Sequence, residues 1–184
     1  MLLVVGTGHH YQFGAGVHFG GDCCTEADET AFAEMLRELT DAYAVQVIAE
    51  ELNLQALKEV GKSTSVMQTV ATALAIPHLF CDPNRQERQQ LGIRTESDIR
   101  MSVFPKTLTE DVVQALTVES WRRRELEWLR RLDAVKSKRV LFVCGANHIS
   151  TLTPLAQTQG FGVKVVHIAW RPYPSLKSLG SQSR

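Results

Sequence analysis

The sequence predicts a three-layer α/β fold, with a mostly parallel sheet of about five strands covered by helices on both faces. Three observations predict it. Short apolar runs recur at residues 2–5, 45–49, 76–81, 139–144 and 163–169, and continuous runs of that length mark strands buried on both faces. Segments of helical spacing separate them, and this alternation builds βαβ units. Two of the runs end alike: Leu2-Leu3-Val4-Val5-Gly6-Thr7-Gly8-His9 and Leu141-Phe142-Val143-Cys144-Gly145-Ala146-Asn147-His148 both close on Gly-x-x-His. Ligands of open α/β sheets bind beyond the carboxyl ends of the strands, so both histidines fall where chemistry is expected.

The first run reads as a strand rather than a signal peptide, because it lacks a basic leader and is too short for the apolar region of one. Tyr11 to Cys24 follows, carrying Gly14, Gly16, Gly20 and Gly21. Such a loop beside a site suits either a mobile lid, with Tyr11, Phe13 and Phe19 as its closing surface, or close approach of the backbone to a ligand. The bland alternative is a static connection whose aromatics complete the core. Thr25 and Asp28 are spaced as a capping box, and Phe32, Met35, Leu36, Leu39 and Tyr43 then mark one face of a helix. The second strand, 45–49, runs into Glu50-Glu51. A helix over residues 52–60 stops at Gly61, and Ser63 or Ser65 caps another carrying Val66, Val70 and Leu74. The third strand ends in Asp82-Pro83, where Asp at the N-cap and Pro at the first helical position start a helix that Gly92 ends. Residues 93–117 read as a partly helical excursion. A long helix is expected over 118–135, then the fourth strand, a helix ended by Gly160, and the fifth strand. Residues 1–170 are expected to form one domain. The stretch 171–184, with two prolines and four serines, is expected to be a loosely ordered tail.

Composition narrows the function classes. With 20 basic and 20 acidic residues and no net charge, the chain lacks the positive excess that a nucleic-acid binder needs. No apolar run approaches a membrane span. Cys23, Cys24, Cys81 and Cys144 show neither disulfide nor zinc spacing, which predicts a reduced, cytoplasmic protein. A small molecule is the expected partner, as substrate or ligand.

The groups that follow the strands are His9, Glu50 and Glu51, Asp82, and His148. Imidazoles and carboxylates gathered at one sheet edge are equipment for activating water. The set His9, Glu50 and His148 could also hold a divalent metal, the one cofactor the sequence suggests. Adjacent strand residues diverge, so one of Glu50 and Glu51 points into the site, and Glu50 is the first choice. Asp82 is explained by capping alone. In the segment from Trp121 to Leu132, helical spacing makes an apolar stripe of Trp121, Trp128, Leu132 and Val135, with Glu127 pairing among Arg123, Arg130 and Arg131. Arg124 and Glu125 lie at or within that stripe and need partners. Gly6-x-Gly8 departs from the dinucleotide fingerprint, since Tyr11 takes the place of the third glycine. There is neither a P-loop nor a Gly-x-Ser-x-Gly elbow.

Gly6-x-x-His9, Glu50-Glu51, Arg124 and Gly145-x-x-His148 with its following helix together resemble the TraB/Tiki, ChaN and erythromycin-esterase-like superfamily. The resemblance spans most of the chain in order, except residues 93–117 and the tail. It implies a shared site of two histidines, an acid and the arginine, here His9, Glu50 or Glu51, Arg124 and His148. It also implies hydrolysis of esters or peptides, with metal in some members and haem in the ChaN branch. The expected function is a small hydrolase in which His9 or His148 activates water, with or without help from a divalent metal. Glu50 or Glu51 orients the base or binds that metal, and Arg124 stabilises an oxyanion or holds an anionic substrate. A metal-, haem- or metabolite-binding sensor module using the same cleft is the alternative.

Overall fold

The computed structural model describes residues 1–19, 21–101 and 109–172. Its strands are β1 (Leu2–Thr7), β2 (His18–Phe19), β3 (Asp22–Cys23), β4 (Val47–Glu50), β5 (His78–Phe80), β6 (Val140–Gly145) and β7 (Val163–Trp170). Five of them form one sheet in the order β5-β4-β6-β1-β7, with every pairing parallel. The pair β2-β3 is a small antiparallel hairpin that the sequence did not signal. The helices are α1 (His9–Phe13), α2 (Glu26–Ala42), α3 (Leu54–Glu59), α4 (Val66–Ala73), α5 (Arg85–Gln90), α6 (Glu96–Met101), α7 (Glu110–Leu132) and α8 (Ile149–Thr158). Among the described residues, no helix is long and apolar enough to cross a membrane.

The pleat sorts the core into two layers. Leu2, Val4, Val47, Ala49, Val140, Phe142 and Cys144 face α7 and α8 through Trp128, Leu129, Leu132, Ile149, Leu152 and Ala156. The alternate residues Leu3, Val5, Ile48, Leu141 and Val143 face α2 and α4 through Phe32, Leu36, Met67 and Val70. Strand residues buried on both sides explain why the runs are continuous rather than alternating. The helices that follow the neighbouring strands β1 and β6 pack on opposite faces. Their carboxyl ends are in register, Thr7 beside Gly145, so the turns carrying His9 and His148 emerge together.

Local signals set most boundaries. Thr25 and Asp28 form the full capping box of α2. Ser65 caps α4 by accepting from the Gln68 N–H. Gly61 and Gly160, at φ 72° and 77°, follow α3 and α8 as expected of residues leaving a helix. Gly6 answers to packing: a Cβ there would lie 2.1 Å from the carbonyl oxygen of Ile168 in the irregular stretch of β7. Its glycine belongs to strand packing rather than to a nucleotide turn.

Three expectations are corrected. The helix predicted over 118–135 begins at Glu110, because its first turns bury only Val113, Thr117 and Ser120, too little apolar surface for a clear period. The predicted lid fails in its first part. Tyr11 to Phe13 are helical, Tyr11 packs against Phe32 and Trp170, and Phe13 joins a third apolar cluster with Val17, Leu52 and Leu57. Asp82 is not an N-cap: α5 is capped by Asn84 in a capping box with Glu87, which leaves Pro83 outside the helix. The excursion of residues 93–117 contains α6 and the start of α7, with 102–108 outside the described residues. Of the tail, 173–184 likewise lies outside them.

Candidate active site

A cleft of about 620 Å³ opens over the carboxyl ends of β1 and β6, lined among others by His9, His148, Arg124, Trp121, Tyr11 and Trp170. Glu51, wholly buried, lies behind the lining, beside His9, Arg124 and His148, and each of its oxygens has a separate environment. Oε2 accepts the Gly145 N–H at 2.7 Å. Oε1 is 2.8 Å from Arg124 Nη1, 3.6 Å from His148 Nε2 and 3.7 Å from His9 Nε2. The Arg124 contact is close enough for strong charge attraction, yet among the described residues Oε1 receives no aligned hydrogen bond. We therefore read it as an ion pair that leaves a lone pair turned toward the two imidazoles. Both imidazole distances exceed hydrogen-bond length and suit a small group placed between.

Each imidazole is oriented from behind. His148 ends a 3₁₀ turn, Ala146–His148, directly after β6. Its Nδ1 is 2.7 Å from Glu125 Oε1, which also accepts the Thr151 hydroxyl at 2.5 Å. A carboxylate there can only accept, so Nδ1 carries the proton and Nε2 is presented to the cleft. The ring stacks edgewise on Trp128, centroids 4.8 Å apart, with Trp121 at 5.2 Å. His148 is only 4% exposed, but it is buried in this polar constellation rather than in the apolar core. Its counterpart His9 opens α1, and its Nδ1 is 2.9 Å from Gln12 Oε1.

Asp82 supports the site from beneath. Its Oδ1 accepts from Arg124 Nε at 2.5 Å and from the Trp128 indole at 3.1 Å, and its Oδ2 from Arg88 and from Asn53. Arg124 thus bridges two buried carboxylates and lies over the Trp128 ring. Burial would push the Glu51 and Asp82 carboxyls up. The guanidinium of Arg124 overrides it, helped by His9 and His148 at Glu51 and by Arg88 at Asp82, and holds both below their ordinary range. Burial would likewise lower the Arg124 guanidinium, but Glu51 and Asp82 raise it further. Its charge is permanent.

Of the sequence candidates, His9, Glu51, Arg124 and His148 are brought together. Glu50 is not. The pleat turns it to the α2–α4 face, where it takes the Ser65 hydroxyl, His78 Nε2 at 2.8 Å and Gln12 Nε2 at 3.4 Å. The metal set of His9, Glu50 and His148 is corrected accordingly. Among the described residues no three His, Cys, Asp or Glu side chains are arranged to hold a metal ion, and the charge of Arg124 already occupies the position beside Glu51 where a cation would bind. Asp82, named among the strand-end groups but explained as a cap, and Glu125, left without a named partner, both adjoin this cluster. The signal for Glu125 was its place in an apolar helix stripe. For Gln12 the sequence carried none. Comparison of the chain with protein-family models, with curated proteins and with solved structures returns no match.

Proposed function

We propose that the chain is a small hydrolase that activates water between His148, His9 and Glu51, acting on a small ester or amide admitted by the cleft. The observation that carries this reading is the pairing of His148 with Glu125 on one side and with the open lone pair of Glu51 Oε1 on the other. A water between them would donate to Glu51 Oε1 and to His148 Nε2, directing its oxygen outward. As that oxygen attacks a carbonyl carbon, His148 Nε2 takes its proton, and Glu125 stabilises the imidazolium that forms. His148 then returns that proton to the leaving group as the tetrahedral intermediate collapses, while His9 lines the other side of Glu51.

Arg124 is assigned a different part from the one expected. Engaged by Glu51 and Asp82, it keeps Glu51 ionised and fixed, so that the carboxylate orients water at no reorganisation cost.

The test is a panel of chromogenic small esters and amides assayed with the wild type, His148→Ala and Glu125→Gln. Turnover by the wild type that falls at least a hundredfold in both variants supports the reading. Turnover that persists in His148→Ala, or a panel on which the wild type never exceeds the variants, overturns it.

A further inference from the structure

Glu50 is fully buried, and its carboxylate pairs with His78 rather than with the Arg124 and His148 cluster that holds Glu51. Glu50 lies on the opposite face of the sheet from Glu51, and among the described residues its ring of partners holds no lysine or arginine: Ser65, His78 and Gln12. A buried carboxylate needs hydrogen bonds from every side. Here the donors are one hydroxyl, one imidazole N–H and one amide. Gln12, itself wholly buried, is the member that reaches back to the cleft, through His9.

We infer that Glu50, Gln12 and His78 are positioning residues that set the tautomer of His9 from the far side of the sheet. The chain of reasoning is one of donors and acceptors. The Glu50 carboxylate can only accept, so the amide group of Gln12 that faces it must be the NH₂ end, at 3.4 Å. Reversing the amide would set its carbonyl oxygen against a carboxylate, and the charge forbids that orientation although the bond is long. Gln12 Oε1 therefore faces His9, and Nδ1 of His9 must carry the proton at 2.9 Å. Nε2 is then the basic nitrogen, turned toward Glu51. His78 donates Nε2–H to Glu50 at 2.8 Å and anchors the far end. The two adjacent glutamates serve one site from two faces: Glu51 directly, Glu50 through Gln12.

This deepens the hydrolase reading and rests on it for its catalytic meaning, but its test needs no substrate. Long-range ¹H–¹⁵N spectra of histidine-labelled protein report which ring nitrogen of His9 bears the proton. They would be recorded well above the usual imidazole pKa of about 6.5, with the signals assigned by a His9→Asn variant. The wild type should show the Nδ1–H form, the opposite of the form that a histidine side chain prefers in water. Glu50→Gln, which lets Gln12 reverse, and Gln12→Leu should both lose that signature. His78→Gln keeps a donor toward Glu50 and should preserve it. An Nε2–H signature in the wild type overturns the inference even if every variant fails to fold. An unchanged His9 signature in a folded Glu50→Gln overturns it too. Loss of the hydrolase reading alone would leave these spectra unaltered, so the two failures are distinguishable.

Discussion

Nδ1 of His148 lies 2.7 Å from Oε1 of Glu125, a pairing made between the turn after β6 and the middle of α7. Both side chains are almost wholly buried, and among the described residues the only other hydrogen bond to the Glu125 carboxylate comes from Thr151. The pair therefore has a stability consequence that needs no knowledge of substrate. His148→Ala should lower the unfolding free energy by about 3 kcal/mol, since breaking a buried pair strands the remaining charge. Urea denaturation measures it, and a loss below about 1 kcal/mol would mean that Glu125 is satisfied some other way.

The arginines of α7 should separate sharply. Arg124→Met removes the countercharge of both Glu51 and Asp82 and should cost about 3–5 kcal/mol. Arg123 and Arg130, half or more exposed and paired with Glu119 and Glu127, should each change stability by about half a kcal/mol or less when replaced by alanine. Equal damage from all three would mark this helix face as a partner surface instead.

Acid should expose the same cluster. Glu51 and Asp82 have folded-state pKa values below their ordinary 4.5 and 3.8. In that window the unfolded chain binds more protons, so stability rises with pH. The contribution is complete above the ordinary values and is lost as pH falls through the depressed ones. Urea midpoints should hold from pH 7 to about 5 and then decline as the unfolded carboxylates titrate near 4. In Arg124→Met, protonation relieves an uncompensated charge, so its deficit relative to the wild type should shrink on acidification. A deficit that grows instead would contradict the assignment of Arg124.

Gly145 tests the closeness of the site. Its φ of −58° suits any residue, so only space opposes a side chain. A Cβ would lie 2.9 Å from His9 Nε2 and 3.4 Å from Glu51 Oε2, and His9 is tethered by Gln12. Gly145→Ala should cost about 1–3 kcal/mol through overpacking and shift the His9 ring resonances. At Gly16 a Cβ meets nothing within 4 Å, but φ is +80°. Its alanine variant should cost about 1 kcal/mol of backbone strain and leave those resonances in place.

Chelation should be without effect. Arg124 already neutralises Glu51, so dialysis against EDTA is expected to leave both Tm and any hydrolytic rate unchanged. A fall in either that zinc or manganese restores would reinstate a metal beside the imidazoles.

Much of the architecture was written locally. Apolar runs, the Thr25–Asp28 box, the Ser65 cap and the turns at Gly61 and Gly160 depend on neighbours a few residues apart, so their physics is present in the sequence. The same holds for the two Gly-x-x-His turns, and for the expectation that Arg124 and Glu125, lying in an apolar stripe, require partners. The tertiary structure decided what depends on distant surfaces. Alternation along β4 guarantees that Glu50 and Glu51 diverge. Which of them joins Arg124 and His148 follows only from α7 and α8 packing on the face of Val47 and Ala49. Asp82 and Asn84 are both good N-caps by chemistry. Asp82 was drawn inward by Arg124, 42 residues away in sequence, and the cap passed to Asn84. A hydrogen bond within one turn is fixed by chain geometry, whereas a buried charge finds its partner only after helices have met across the sheet.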